Sequence, residues 1–236
     1  MWKKHLGFSI SFAVIAILNL VSESIYSPEI RLVVKPLICV LLSLYLYSTT
    51  KLYGGFRKLI FTGLLFSLFG DIALMFVAKG ENFFLIGLVS FLTAHIFYSI
   101  AFFRDFKNDP MASKKFGHLM LFLMGAFSLS YYTWLRPFLE DLRIPVLIYI
   151  FIISIMAILA GYRYKRVNLI SFRLIFAGAI FFVISDSALA YNKFVQDFPY
   201  SGMVIMATYM IAQYLITMGA IERKVVGRPE PGPYQK

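Results

Sequence analysis

The sequence predicts an all-α, polytopic integral membrane protein of eight transmembrane helices, and three observations carry that prediction. The chain is 60% hydrophobic, with a mean hydropathy of +0.76 and only 15% charged residues, too few to clothe a water-facing surface. Its apolar residues fall into eight runs, each close to the roughly 20 residues that cross a bilayer core about 30 Å thick. Lysine and arginine concentrate in alternate connections between those runs.

The runs lie near 6–22, 30–48, 58–78, 83–103, 116–135, 143–162, 170–191 and 200–220. The first follows Lys3, Lys4 and His5 in the manner of a secretory signal, but the region after it lacks an Ala-x-Ala-like cleavage site, so it reads as a retained span. The second enters through Lys35-Pro36, and the third holds Asp71 toward its end. The fourth carries His95 and Tyr98 at a spacing of i, i+3, one face of a helix. The fifth is apolar, the sixth bears Tyr149, and the seventh holds Asp186. The eighth places Tyr209 and Gln213 at i, i+4 on a shared face.

Short cytoplasmic loops retain an excess of positive charge. Lys3 and Lys4, the second connection (Lys51, Arg57, Lys58), the fourth (Arg104, Lys107, Lys114, Lys115), the sixth (Arg163, Lys165, Arg166) and the C-terminal stretch (Arg223, Lys224, Arg228, Lys236) hold most of it. The opposite side has only Arg31, Lys79, Arg136, Arg143 and Lys193. Both termini are therefore expected in the cytoplasm. The net charge of +11 follows from the same bias and requires no nucleic acid, although the basic loops are suited to anionic headgroups. Residues 1–221 read as one transmembrane domain and residues 222–236, rich in Pro and Gly, as a flexible basic tail. Cys39 is the one cysteine, and His5, His95 and His118 are scattered, so neither an internal disulfide nor a metal or cofactor site is expected.

The two aspartates are the most informative residues. An ionised carboxylate at the bilayer centre costs roughly 2.5 to 3.5 kcal/mol, so such residues face a protein interior or a wet cavity. Asp71 in Gly70-Asp71-Ile72-Ala73-Leu74 and Asp186 in Ser185-Asp186-Ser187-Ala188-Leu189 have near-matching contexts 186 minus 71, or 115, residues apart, which suggests two parallel four-helix halves. With the expected topology both fall in the outer halves of their spans. Lys35, Asn19, Glu23, Tyr98, Tyr149, Tyr209 and Gln213 lie at comparable levels, with His95 deeper, and Lys193 is a further binding candidate. One pocket can collect most of them. The competing reading is ordinary for each: interhelical hydrogen bonds for the aspartates, His95 and Gln213, a snorkelling lysine for Lys35, and packing for the tyrosines.

Taken together these positions resemble the lysoplasmalogenase family, the YhhN-like multispan proteins. The resemblance is carried by Lys35-Pro36-Leu37, Ser67-Leu68-Phe69-Gly70-Asp71, Gly87-Leu88-Val89-Ser90-Phe91 with His95 and Tyr98, and Tyr149 with Met156. It continues through the run from Gly178 to Ser187 with Asn192-Lys193-Phe194, and Thr208-Tyr209 with Gln213. Each string is weak alone; their order across eight spans is specific.

The resemblance implies hydrolysis of the vinyl ether bond of lysoplasmalogens to a fatty aldehyde and glycerophosphoethanolamine or glycerophosphocholine, without a cofactor. Such a bond opens when a proton reaches its β-carbon and water traps the oxocarbenium ion. One protonated and one ionised carboxyl can share that work in dry surroundings, as they do in glycosidases. Asp71 and Asp186 are the expected catalytic pair, with no basis for deciding which gives the proton. Lys35 is expected to meet the ionised member or the lipid phosphate, and His95, Tyr209 and Gln213 to hold water or the glycerol hydroxyl. The principal rival is a proton-coupled transporter of a lipid or amphipathic solute, since intramembrane acids in repeated halves also build carriers; a noncatalytic lipid-binding protein is another. An intramembrane aspartyl protease fits poorly, because Leu68 stands where a Gly-x-Gly-Asp motif needs glycine. The expected location is the inner membrane in a bacterium or an internal membrane in a eukaryote. The partners expected are the lysolipid and the surrounding membrane; oligomeric state is not legible.

Overall fold

A computed structural model of the chain describes residues 2–25 and 28–227. The eight apolar runs become eight helices: α1 (Trp2–Ser24), α2 (Pro28–Thr50), α3 (Gly55–Met75), α4 (Asn82–Asn108), α5 (Lys115–Leu135), α6 (Arg143–Tyr162), α7 (Leu169–Phe194) and α8 (Ser201–Ile221). Seven of them are long and apolar enough to cross a membrane. The eighth, α5, has 21 residues, but His118, Ser128, Ser130, Tyr131, Tyr132 and Thr133 dilute its apolar character. Its outer face is nonetheless hydrocarbon-like, with Phe122 and Leu129 exposed. The chain is a multi-pass integral membrane protein.

The closest helix pairings are α3 with α4 and α7 with α8, and both are made by glycine. A Cβ at Gly63 would sit 2.2 Å from Tyr98 Cε1, and one at Gly178 would sit 2.9 Å from the Ala212 carbonyl. Small residues let helix backbones approach where lipid removes the hydrophobic drive to associate. Gly63 and Gly178 keep the same 115-residue spacing as Asp71 and Asp186, so each aspartate lies about two turns beyond a glycine at a close helix contact.

Two boundaries differ from the sequence reading. Helix α4 runs to Asn108 rather than to about 103, because its polar last turn is held by Asp105, which is fully buried. Arg163 Nε donates to Asp105 Oδ2 at 2.8 Å, and Arg223 donates to both carboxylate oxygens. Helix α3 stops at Met75 because the Phe76 N–H bonds to the Ala73 carbonyl and leads into a 3₁₀ turn at Val77–Lys79.

This end of the bundle also receives the C-terminal stretch. Glu222 meets His5 Nε2 at 2.6 Å, the Lys224 N–H donates to Asn168 Oδ1 at 2.8 Å, and Val225 bridges Val167. Residues 222–227, expected as part of a flexible tail, are instead tied to α1, α4 and the α6–α7 connection by charges and backbone bonds that hydropathy does not register. Residues 228–236 of that expected tail fall outside the described residues.

Candidate active site

The opposite end of the bundle holds a polar cavity of about 610 Å³. It lies where the ends of α1, α3 and α7 converge with the starts of α2, α4 and α8. Asp71 reaches it from one turn before the end of α3, and Asp186 from two turns before the end of α7. Beside the cavity a narrow apolar slot, with room for about 50 Å³, runs between α4, α5, α6 and α7 past Phe91, Phe127, Tyr149, Ile153 and Val183. Asp186 lines both spaces; Asp71 lines only the polar one.

Each carboxylate has its own setting. Asp71 is 1% exposed, and Tyr209 donates to its Oδ2 at 2.7 Å. Gln213 Nε2 donates to the Tyr209 oxygen at 3.3 Å, and Tyr98 donates to Gln213 Oε1 at 2.8 Å, so a chain of bonds runs from α4 through α8 to α3. Cys39 Sγ completes the setting, 3.1 Å from the Tyr209 oxygen and 3.6 Å from Asp71 Oδ2. Lys35, one turn before Cys39 on α2, faces the same cavity within electrostatic range of Asp71.

Asp186 accepts from the Tyr149 hydroxyl at 2.5 Å. Behind it His95 is fully buried, its Nε2 3.7 Å from Asp186 Oδ2 and its ring edge-on to Tyr149 and Phe182. Neither His95 nitrogen has a hydrogen-bond partner among the described residues. Around Tyr209 stands an aromatic cluster in which Phe91 and Phe182 both pack edge-on against its ring. Gly70 makes room for it, since a Cβ there would sit 2.6 Å from Phe91 Cε2.

Residues 30–220 match the YhhN family. The chain belongs to the YhhN family. It is similar to lysoplasmalogenase TMEM86A of Homo sapiens, 35% identical over 173 residues that cover 70% of this chain and 66% of that protein. It also resembles lysoplasmalogenase TMEM86B of Homo sapiens, 31% identical over 201 residues covering 80% of this chain and 74% of that protein. TMEM86B of Rattus norvegicus is 30% identical over 188 residues, covering 79% and 70%. The match thus spans just under two thirds of the length of TMEM86A. No solved structure matches the chain.

Of the residues singled out in the sequence of this YhhN protein, Asp71, Asp186, Lys35, Lys193, Tyr209 and Glu23 line the polar cavity, and Tyr149 lines the slot beside Asp186. His95, Tyr98 and Gln213 line neither; they form the layer behind the carboxylates. Asn19, buried in α1, lines neither space, and its amide has no hydrogen-bond partner among the described residues. Arg31, Asn192 and Asp197 also line the cavity; the sequence marks Arg31 only as an outer-side charge and Asn192 only within a family-like string, and gives no sign of Asp197. Cys39 was noted only as a lone thiol, although its i+4 spacing from Lys35 places both on one helix face.

Proposed function

We propose that the protein is a hydrolase that cleaves the vinyl ether bond of lysoplasmalogens, with Asp186 as the acid and Asp71 as the anion. The observation that carries this reading is the position of Asp186 at the joint between a polar cavity and an apolar slot, with a second carboxylate confined to the polar side. A lysoplasmalogen has the same division: a headgroup and glycerol on one side, a hydrocarbon chain on the other, and the vinyl ether between them. The names of the human and rat relatives support the substrate class.

The β-carbon that must be protonated lies on the chain side of the ether oxygen, where Asp186 stands. Proton transfer from its carboxyl to that carbon moves the π electrons toward oxygen and creates an oxocarbenium ion. Tyr149, donating to Asp186, stabilises the carboxylate left behind. Asp71, held by Tyr209 and near Lys35, faces the cation from the polar cavity and takes a proton from the attacking water as the C–O bond forms. Asp71 then gives that proton to the glycerol oxygen while the hemiacetal hydroxyl gives its proton to Asp186, and the bond between the hemiacetal carbon and the glycerol oxygen breaks to leave aldehyde and glycerol hydroxyl. One water is consumed and both carboxyls regain their starting states.

The positive charge at the end that gathers both termini supports placing that end in the cytoplasm and the site toward the other face. The test is aldehyde release by purified protein from lysoplasmenylethanolamine and lysoplasmenylcholine, with an acyl-ester lysophospholipid as control. Release from the vinyl ethers alone, abolished in folded Asp71→Asn and Asp186→Asn, is the expected result. A single variant that keeps turnover contradicts the paired mechanism. No aldehyde from either lipid rejects the enzyme and leaves transport in sealed vesicles as the assay to run.

A further inference from the structure

His95 is a buried polar residue with no part in the chemistry described so far. Its side chain is fully buried on α4, and neither ring nitrogen has a hydrogen-bond partner among the described residues. Unpartnered polar atoms in dry surroundings cost stability, so packing alone gives no reason for a histidine at this position. Its orientation does. The ring stands edge-on between Tyr149 and Phe182, with centroids 5.4 Å and 4.5 Å away, and in that clamp Nε2 lies 3.7 Å from Asp186 Oδ2. The same oxygen accepts from the Tyr149 hydroxyl at 2.5 Å. Both neighbours converge on Oδ2, and no hydrogen bond from a described residue reaches Oδ1.

This asymmetry decides where the protons sit. A neutral imidazole has one N–H and one bare nitrogen. With hydrogen on Nδ1, the Nε2 lone pair would face the lone pairs of Oδ2 and the N–H would have no acceptor. With hydrogen on Nε2, the N–H faces an oxygen. Oδ2 already accepts from Tyr149, so it is the acceptor side of the carboxyl and Oδ1 is left to carry the acid proton. A separation of 3.7 Å is too long for a hydrogen bond, and the neutral acid gains little from it. Once Asp186 has given up its proton the oxygen carries charge, and hydrogen bonds to charged groups are about twice as strong as neutral ones. Contacts that are loose in a resting enzyme tighten in its transition-state complex.

Resting on the functional reading above, we propose that His95 is a positioning residue for the proton donor: its Nε2–H and the Tyr149 hydroxyl together hold Asp186 Oδ2 as an acceptor, so that the transferable proton sits on Oδ1 and the carboxylate formed meets two donors on its other oxygen. His95 lines neither the polar cavity nor the slot, and it reaches the vinyl ether only through Asp186. No proton passes through the imidazole, which stays neutral throughout.

Two readouts test this, and one needs no turnover. In purified full-length protein labelled with nitrogen-15 histidine, the couplings of ring nitrogens to ring protons show which nitrogen carries hydrogen, and the signal missing from His95→Gln is that of His95. The expected state is a neutral ring protonated at Nε2. A ring protonated at Nδ1, or an imidazolium, overturns the proposal. The second readout is kinetic. His95→Leu removes the N–H and the unpartnered atoms together, so its thermal midpoint in detergent should equal or exceed that of wild type. Its kcat for lysoplasmenylethanolamine should fall about tenfold at nearly constant KM, the mark of a bond made in the transition state. His95→Gln returns an N–H near the place of Nε2 and should recover most of that loss. A folded His95→Leu with the kcat of wild type, or a loss that glutamine leaves in full, overturns the positioning role; a lowered midpoint with unchanged kcat does so too and makes His95 a packing residue. If the leucine variant does not fold, the tautomer and a glutamine variant with near-wild-type kcat decide. Absence of aldehyde from wild type rejects the hydrolase instead, and the tautomer then judges the contact with Asp186 alone.

Discussion

Replacing Tyr149 with phenylalanine removes one oxygen at a position where its consequence can be worked out. The hydroxyl donates to Asp186 Oδ2 at 2.5 Å, while the ring is buried and packs edge-on against His95. Phenylalanine keeps the ring and its packing, so the fold should survive with little loss. The hydrogen bond is stronger to a carboxylate than to a neutral acid: bonds to charged groups contribute about 1.5–3 kcal/mol and neutral ones about 1 kcal/mol. If Asp186 loses its proton as the β-carbon gains it, the difference of about 1 kcal/mol or somewhat more appears only in the transition state. That predicts a kcat lower by about 5- to 20-fold with KM nearly unchanged, the signature of an interaction made in the transition state alone. Aldehyde release over a range of lysoplasmenylethanolamine concentrations measures both constants. A change carried entirely by KM, or a kcat equal to wild type, would refute the assignment of Asp186 as the proton donor.

Other outcomes follow from the same geometry. Gly178→Ala should destabilise the protein by about 1–3 kcal/mol through overpacking of α7 on α8, read as a lowered thermal midpoint in detergent; an unchanged midpoint would remove the glycine from the packing account. Asp105→Asn should cost about 3–5 kcal/mol by leaving the buried Arg163 charge uncompensated, and equal stability by thermal or denaturant unfolding would show that the network is dispensable. Ile153→Trp fills the apolar slot, so KM for long alkenyl chains should rise at least tenfold (about 1.4 kcal/mol) while the midpoint stays near wild type; unchanged kinetics would place the hydrocarbon elsewhere.

Much of the fold is legible because the bilayer imposes a rule on whole segments: about 20 apolar residues per crossing. That average locates the helices but is blind to pairs. It ends α4 near residue 103, since Arg104, Asp105 and Lys107 look like a loop until Asp105 is seen between Arg163 and Arg223. It likewise releases residues 222–227, which single hydrogen bonds hold. At the candidate site the aspartates stand out because charge is rare in such surroundings, and the i, i+4 spacing brings Tyr209 and Gln213 within 3.3 Å of each other. Distances between helices carry no such local signature. His95 has the same sequence context whether it faces a cavity or stands behind Asp186, and only the crossing of α4 with α6 and α7 decides. Asp197 follows the last residue of α7 by only three positions and reads as a loop acid, because nothing local in the sequence shows that this connection borders the polar cavity.

The most direct test of the central claim follows the proton. Lysoplasmenylethanolamine is hydrolysed by the purified protein in deuterium oxide, the aldehyde is reduced as it forms, and the alcohol is analysed by mass spectrometry. Protonation of the vinyl β-carbon by an acid in equilibrium with solvent predicts one deuterium at the second carbon of the alcohol, with product formation lost in Asp186→Asn. An alcohol without deuterium at that carbon, or full activity in Asp186→Asn, would contradict it.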